Sequence, residues 1–185
     1  MTGESYNTAP NGNIVVRGKP ETKVEKILTE AVLPGHLLQI DSNDYKAKLH
    51  DGSFASGAGC IGWAGFEDAS PNVRPDTYDT AYVSGNVIPV LSGGSFDIYA
   101  IAIGEAVGGA AVTITAGDLL TSNGDGTLKL SSLAVTITQS GETPFAVSAA
   151  TLPARPVARA LETVVIAVST TATPNTARIH VTSLV

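Results

Sequence analysis

The chain has 185 residues, a formal net charge of −6 and 43% apolar residues, mostly Ala, Val, Ile and Leu. This is enough to bury a core within one domain, and it excludes global disorder. The acidic balance, with no Lys/Arg cluster beyond Arg17 and Lys19, excludes nucleic acid as a direct partner, because phosphate neutralisation supplies most of that affinity. Cys60 is the only cysteine, so there is no intrachain disulfide and no thiolate metal cluster.

Residues 1–13, MTGESYNTAPNGN, are polar and lack the basic-then-apolar pattern of a signal peptide. No apolar run reaches the ~18 residues that a membrane helix needs. The expectation is therefore a soluble chain made in a cytoplasm, with residues 1–22 as a flexible N-terminal arm and 23–185 as a single β-rich domain. Within the arm, Ile14-Val15-Val16 is β-branched and suited to pair with a sheet edge.

In residues 23–32, Val24, Ile27, Leu28 and Val32 stand at helix-like spacing, but Pro34 and Gly35 cut the segment short and a strand is expected. Residues 33–49, LPGHLLQIDSNDYKAKL, read as a strand, a polar turn at Asp41-Ser42-Asn43-Asp44, and a second strand. Residues 52–65 are a small-residue loop leading into a buried strand around Ile61-Gly62-Trp63-Ala64. Residues 66–78, with Pro71 and Pro75, form a surface excursion. In 82–91 a bent strand or strand pair is expected, with Pro89 pointing to an edge or a bulge. Residues 96–103, FDIYAIAI, are apolar enough for a central strand, and 111–115 form another.

The organising stretch is residues 115–130, TAGDLLTSNGDGTLKL, in which two strands flank Asn123-Gly124-Asp125-Gly126, a cluster that accepts the positive φ angles of tight turns. Gly35-His36-Leu37-Leu38 and Gly85-Asn86-Val87-Ile88 repeat its Gly-x-apolar-apolar opening, which is a structural device rather than a catalytic one. Residues 133–138 alternate strictly and 145–149 are also strand-like. Residues 153–163 are expected to be a short helix, since Val157, Ala158 and Leu161 share one helical face. Residues 164–169 and 177–184 close the fold as strands. Short strands separated by Gly/Asn/Asp turns indicate an all-β barrel or sandwich.

Several residues invite a functional reading, and each has a plainer one. Gly57-x-Gly59-x-x-Gly62 matches a dinucleotide fingerprint, but Trp63-Ala64-Gly65 follows it instead of a helix, so a close backbone approach is the better account. Asn123, Asp125 and Asp118 lack the alternating register and distal Glu of a calcium loop. His36, His50 and His180 have no metal-binding spacing and are expected at surface or edge positions. Cys60 has no local base and is expected to be a packing residue. The pairs Asp41/Asp44 and Glu67/Asp68 fall in loops, as turn formers and solvators. No catalytic, cofactor or metal residue is expected, and the chain is not expected to be an enzyme.

Taken together, LPGHLLQIDSNDYKAKLHDG, AYVSGNVIPVLSGGSFDIYA, ITAGDLLTSNGDGTLKL and PVARALETV with the closing RIHVTSLV resemble, in order and spacing over residues 23–185, the capsid decoration (cement) proteins of tailed bacteriophages and related viruses. The resemblance implies a compact β-barrel or β-tulip domain that binds the outside of an assembled capsid and bridges major capsid proteins. It also implies a homotrimer and an arm reaching along the shell. The loops at 52–65 and 66–78 fall outside that pattern. The alternatives are a tail- or fibre-associated β module and a carbohydrate- or small-ligand-binding β module. The latter would need clustered aromatics, of which Phe54, Trp63 and Phe66 are the one group.

Overall fold

In the computed structural model, residues 13–52, 59–105, 109–131, 136–139, 147–151 and 155–185 are described. Three turns of one design start major strands. At 33–36, 83–86 and 115–118 the fourth residue donates its N–H to the first residue's carbonyl: His36 to Leu33 at 3.1 Å, Asn86 to Val83 at 3.2 Å and Asp118 to Thr115 at 3.0 Å. The third residue is a glycine with φ of +84° (Gly35), +91° (Gly85) and +99° (Gly117). That is type II geometry, which demands a positive φ at this position and suits Pro34 at the one before it. Each of these glycines then donates its N–H to a distant carbonyl at 2.8 Å: Gly35 to Ala64, Gly85 to Leu28 and Gly117 to Ala160. One local sequence device thus starts a strand and ties it to a neighbour.

The strands in chain order are β1 (Val15–Gly18), β2 (Thr22–Leu28), β3 (Leu37–Ile40), β4 (Lys46–Leu49), β5 (Cys60–Ala64), β6 (Val87–Ser92), β7 (Phe96–Ile103), β8 (Val112–Ile114), β9 (Leu119–Ser122), β10 (Leu128–Leu130), β11 (Thr136–Gln139), β12 (Val147–Thr151), β13 (Ala158–Ala160), β14 (Val164–Ile166) and β15 (Thr176–Ser183). The fold is all-β, and no helix is present among the described residues. Strands β2-β4-β3-β5-β6 close a first barrel. The order β7-β10-β9-β13-β15 returns to β7 through the β7–β15 pairing and closes a second, with β1 added alongside β7. Two small ribbons, β8 with β14 and β11 with β12, complete the pairings.

The two barrels share a wall. Leu37, Trp63 and Leu91 lie opposite one another across β3, β5 and β6. They belong to the larger core with Phe96, Ile98, Leu120, Leu128, Ile179 and Val181. Their chain neighbours Leu38, Ala64 and Val90 belong to the smaller core with Leu28, Ala47, Tyr82 and Ile88. Successive side chains of a strand point to opposite faces, so a strand buried on both faces reads as consecutive apolar residues rather than as alternation. Burying each such Leu stabilises the fold by about 1.5–3 kcal/mol. The Trp63 indole N–H crosses from this wall to the Ser183 hydroxyl of β15 at 2.9 Å.

Most of the expected strands are present, including β2 in the ambiguous segment and β7 as a central strand paired with β1, β10 and β15. Three expectations are corrected. The short helix at 153–163 is replaced by β13, while residues 153–154 lie outside the described part. Ala158 and Ala160 are buried and Arg159 is exposed, an alternation of two fixed by pairing with β9 and β15. Leu161, needed for the helical face, is exposed. The part of the expected arm from residue 14 onwards is built into the fold: Ile14 is fully buried and β1 pairs with β7. Residues 1–12 lie outside the described part. Pro89 does not mark an edge, because β6 has partners on both sides. Of the strands expected at 133–138 and 145–149, the described residues form β11 and β12, which pair antiparallel, and the remainder lies outside the described part.

Candidate functional site

Of the residues singled out in the sequence, His36, His50 and the 123–126 turn meet at the joint between the barrels. The turn that links β9 and β10 inserts beside the ends of β3 and β4. The Leu37 N–H donates to the Gly126 carbonyl at 2.9 Å, and the Gly126 N–H donates to the His50 carbonyl at 3.1 Å. His50 in turn donates its N–H to the Leu37 carbonyl at 3.0 Å. Only glycine fits at position 126, where φ is +77° and an added Cβ would lie 2.6 Å from Leu49 Cδ2 and 3.2 Å from the Leu37 carbonyl. Asp125 does not chelate; it accepts the Thr127 N–H at 3.0 Å and the Thr127 hydroxyl proton. Asp118 likewise accepts the Thr115 N–H at 2.8 Å. Both carboxylates act as turn acceptors. No group of three His, Cys, Asp or Glu side chains suited to a metal ion occurs among the described residues.

The histidines are not at the surface, which corrects the sequence expectation for two of them. His50 is fully buried and His36 is 8% exposed, both at the joint. Hydrogen bonds from backbone N–H groups identify Nδ1 as the acceptor in each ring: Leu33 donates to His36 at 3.2 Å, and Gly52 donates to His50 at 3.0 Å. The Ser122 hydroxyl lies 2.9 Å from His50 Nδ1. Burial lowers the His36 pKa to about 4, aided by the Arg178 guanidinium and opposed by Asp125. Burial also lowers that of His50, opposed by Asp51. Nothing in the spacing of these histidines announces the joint. The signal available was the adjacency of each to an apolar strand end.

His180 lies apart, on the outer face of the second barrel, where its ring stacks on Tyr99 with centroids 5.2 Å apart. With Val16, Arg17, Asp97, Leu161 and Glu162 they line a cleft of about 630 Å3. Its charges are largely engaged: Arg17 pairs with Asp97 at 2.8 Å, and Asp97 accepts the Thr182 hydroxyl at 2.7 Å. The Glu162 carboxylate accepts the His180 N–H at 2.8 Å. This cleft places no nucleophile beside a base.

Cys60 opens on a smaller cleft of about 280 Å3 with Arg155 and Ser92. Burial pushes its thiol up to about 12, which leaves almost no thiolate at neutral pH and makes it a packing residue. Of the fingerprint glycines, Gly57 lies outside the described residues. Gly62 sits inside β5 at φ +137°, where an added Cβ would approach the Leu91 carbonyl to 2.3 Å. The β3–β5 register shifts beside it, so this glycine serves a bulge and a close strand approach. Trp63 and Phe66 are core residues, and Phe54 lies outside the described part.

The loop carboxylates do more than solvate. Glu67 accepts the N–H of Val15 at 2.9 Å and that of Ile14, fixing the start of β1, and Asp68 pairs with Lys23 at 2.6 Å. Arg178 of β15 anchors the other end of the excursion. It donates to Asp79 at 3.0 Å, to the Pro34 and Tyr99 carbonyls at 2.6 and 3.3 Å, and to the Tyr78 carbonyl. The surface excursion is therefore held against both barrels.

No protein-family model matches the chain, and no curated protein matches it. No helix among the described residues is long and apolar enough to cross a membrane.

Proposed function

We propose that this chain is a capsid decoration protein, a structural rather than catalytic component that binds the exterior of an assembled virion and bridges major capsid proteins. The observation that carries the reading is the part played by the stretches that bear the resemblance. Residues 33–49 and 115–130 are the two turn-and-hairpin units that meet at the joint, and 81–100 supplies the third turn with β6 and most of β7. The fourth stretch contributes β13 and β15, which pair with each other. The shared order thus follows the framework of the fold. In that family's terms the domain is β-tulip-like, works as a homotrimer and extends its N-terminal segment along the shell.

The surface supports contact with protein. Ile27 and Val87 face each other across β2 and β6, exposed by 36% and 43%, and the Ile27 N–H is bonded to the carbonyl of the exposed Tyr45. A decoration protein gains affinity from many modest contacts on a rigid lattice rather than from one deep pocket. The small-ligand alternative has the cleft beside Tyr99 in its favour, but Trp63 and Phe66 are committed to the core and offer no stacking platform.

The test is to band particles from the source on a density gradient and quantify this chain against the major shell protein. Comigration at a fixed, high copy ratio is the expected result. Absence from particles, or a few copies each, refutes the proposal and moves the tail-associated and ligand-binding readings ahead. Deleting residues 1–13 should weaken shell binding yet leave the fold intact, since Ile14 and β1 are retained.

A further inference from the structure

We propose that the joint between the two barrels is a proton-sensitive latch, closed while His36 and His50 are neutral and opened when they take up protons. The geometry carries the inference. Both rings are buried where the 123–126 turn of the second barrel meets the β3 and β4 ends of the first. Both present Nδ1 as an acceptor to a backbone N–H, at 3.2 Å from Leu33 and 3.0 Å from Gly52. A neutral imidazole whose Nδ1 accepts carries its proton on Nε2, so the next proton must go to Nδ1. There it would set N–H against the Leu33 and Gly52 N–H groups in a buried site and break both hydrogen bonds, and at His50 it would also force the Ser122 hydroxyl, 2.9 Å away, to turn and accept.

The sibling turn shows that the first of these bonds is a designed cap. Asp118 occupies the position equivalent to His36 and accepts the Thr115 N–H in the same way. His36 gives its bond up once Nδ1 of its imidazole takes a proton, because the nitrogen is then no longer an acceptor. His50 adds a direct link to the latch, because its ring is 2.9 Å from the Ser122 hydroxyl and the same hydroxyl accepts the Gly124 N–H at 3.2 Å.

The charged surroundings do not remove the effect. His36 faces the Arg178 guanidinium from β15, which opposes a second positive charge, and Asp125 from the turn, which favours one. Arg178 is itself paired with Asp79. His50 faces Asp51, which favours its cation but is shared with the Gln39 amide at 2.9 Å and with Lys48 at 4.0 Å. For both histidines burial is the larger influence.

The sign follows. Each group has a folded pKa below its ordinary 6.5, so closure is unpenalised above that pH and weakens as pH falls through the window below it, down to about 4 for His36. With the open state titrating at about 6.5, His36 alone should lower the closing equilibrium about twentyfold between pH 7 and pH 5.

The experiment is amide hydrogen exchange on the full-length chain across that range, read as protection at Leu37 and Gly126, whose N–H groups bond across the joint. The comparison is the double variant His36→Asn, His50→Asn. An asparagine Oδ1 stands in for Nδ1 as acceptor and does not titrate. Protection at both amides should fall about twentyfold or more in the parent chain and stay constant in the variant. An equal fall in both proteins overturns the proposal. If the variant does not fold, imidazole proton shifts of the parent chain decide: titration well below 6.5 supports the latch, and titration of both rings at the ordinary value overturns it.

Discussion

Replacing the glycine of each sibling turn by alanine separates backbone strain from packing. Gly35, Gly85 and Gly117 share the same turn position, with φ between +84° and +99°. An L-residue there costs about 1–2 kcal/mol from its Cβ alone. At Gly85 and Gly117 nothing lies within 4 Å of the added carbon, so that is the whole cost. At Gly35 the carbon would lie 2.4 Å from the Tyr99 carbonyl oxygen and 2.8 Å from Arg178 Nη1. The first contact is with backbone of a central strand and does not yield cheaply. The second displaces a guanidinium that holds the Pro34, Tyr78 and Tyr99 carbonyls. Overpacking of this kind adds about 1–3 kcal/mol. Urea unfolding followed by the emission of Trp63 measures the difference. With a slope near 2 kcal/mol per molar, G35A should unfold about 0.5–1.5 M earlier than G85A and G117A, which should agree with each other. Equal midpoints for all three would refute the claim that the Gly35 turn is wedged against the second barrel.

Arg178→Met should cost about 3–5 kcal/mol, because the side chain is 12% exposed and several backbone carbonyls lose a charged donor, whereas Asp79→Ala, at 65% exposure, should cost less than about 1 kcal/mol. Comparable urea midpoints for the two variants would show that the ion pair, not the carbonyl network, holds the excursion. Cys60, with its thiol pushed up to about 12, should react with iodoacetamide at pH 8 at least about a hundredfold more slowly in the folded protein than in urea. Similar rates in the two conditions would place the thiol in solvent.

Much of the fold was legible in the sequence wherever the determining contacts are local. The glycine of each type II turn is required by a φ that other residues resist, and the Asn123–Gly126 cluster is required by the reversal between β9 and β10. These positions marked the strands on either side without knowledge of any partner. The all-β class followed from the same punctuation.

Features that depend on residues far apart in the chain were decided only by the tertiary structure. Residues 158–160 carry apolar neighbours compatible with a helix, yet they lie between β9 and β15, and pairing on both sides imposes a period of two. Leu37-Leu38 and Trp63-Ala64 signal burial, but their assignment to two different cores arises from a wall shared by two barrels, which no local pattern encodes. His36 and His50 are polar residues at strand ends, and they became buried because the distant turn at residues 123–126 closes over them, with Gly126 bonded to both β3 and the end of β4. Local sequence thus set where the chain turns and which residues seek the interior, because φ and side-chain polarity belong to single residues. Long-range pairing alone determined which interior each one entered, because a hydrogen-bond ladder has no meaning until its partner strand arrives.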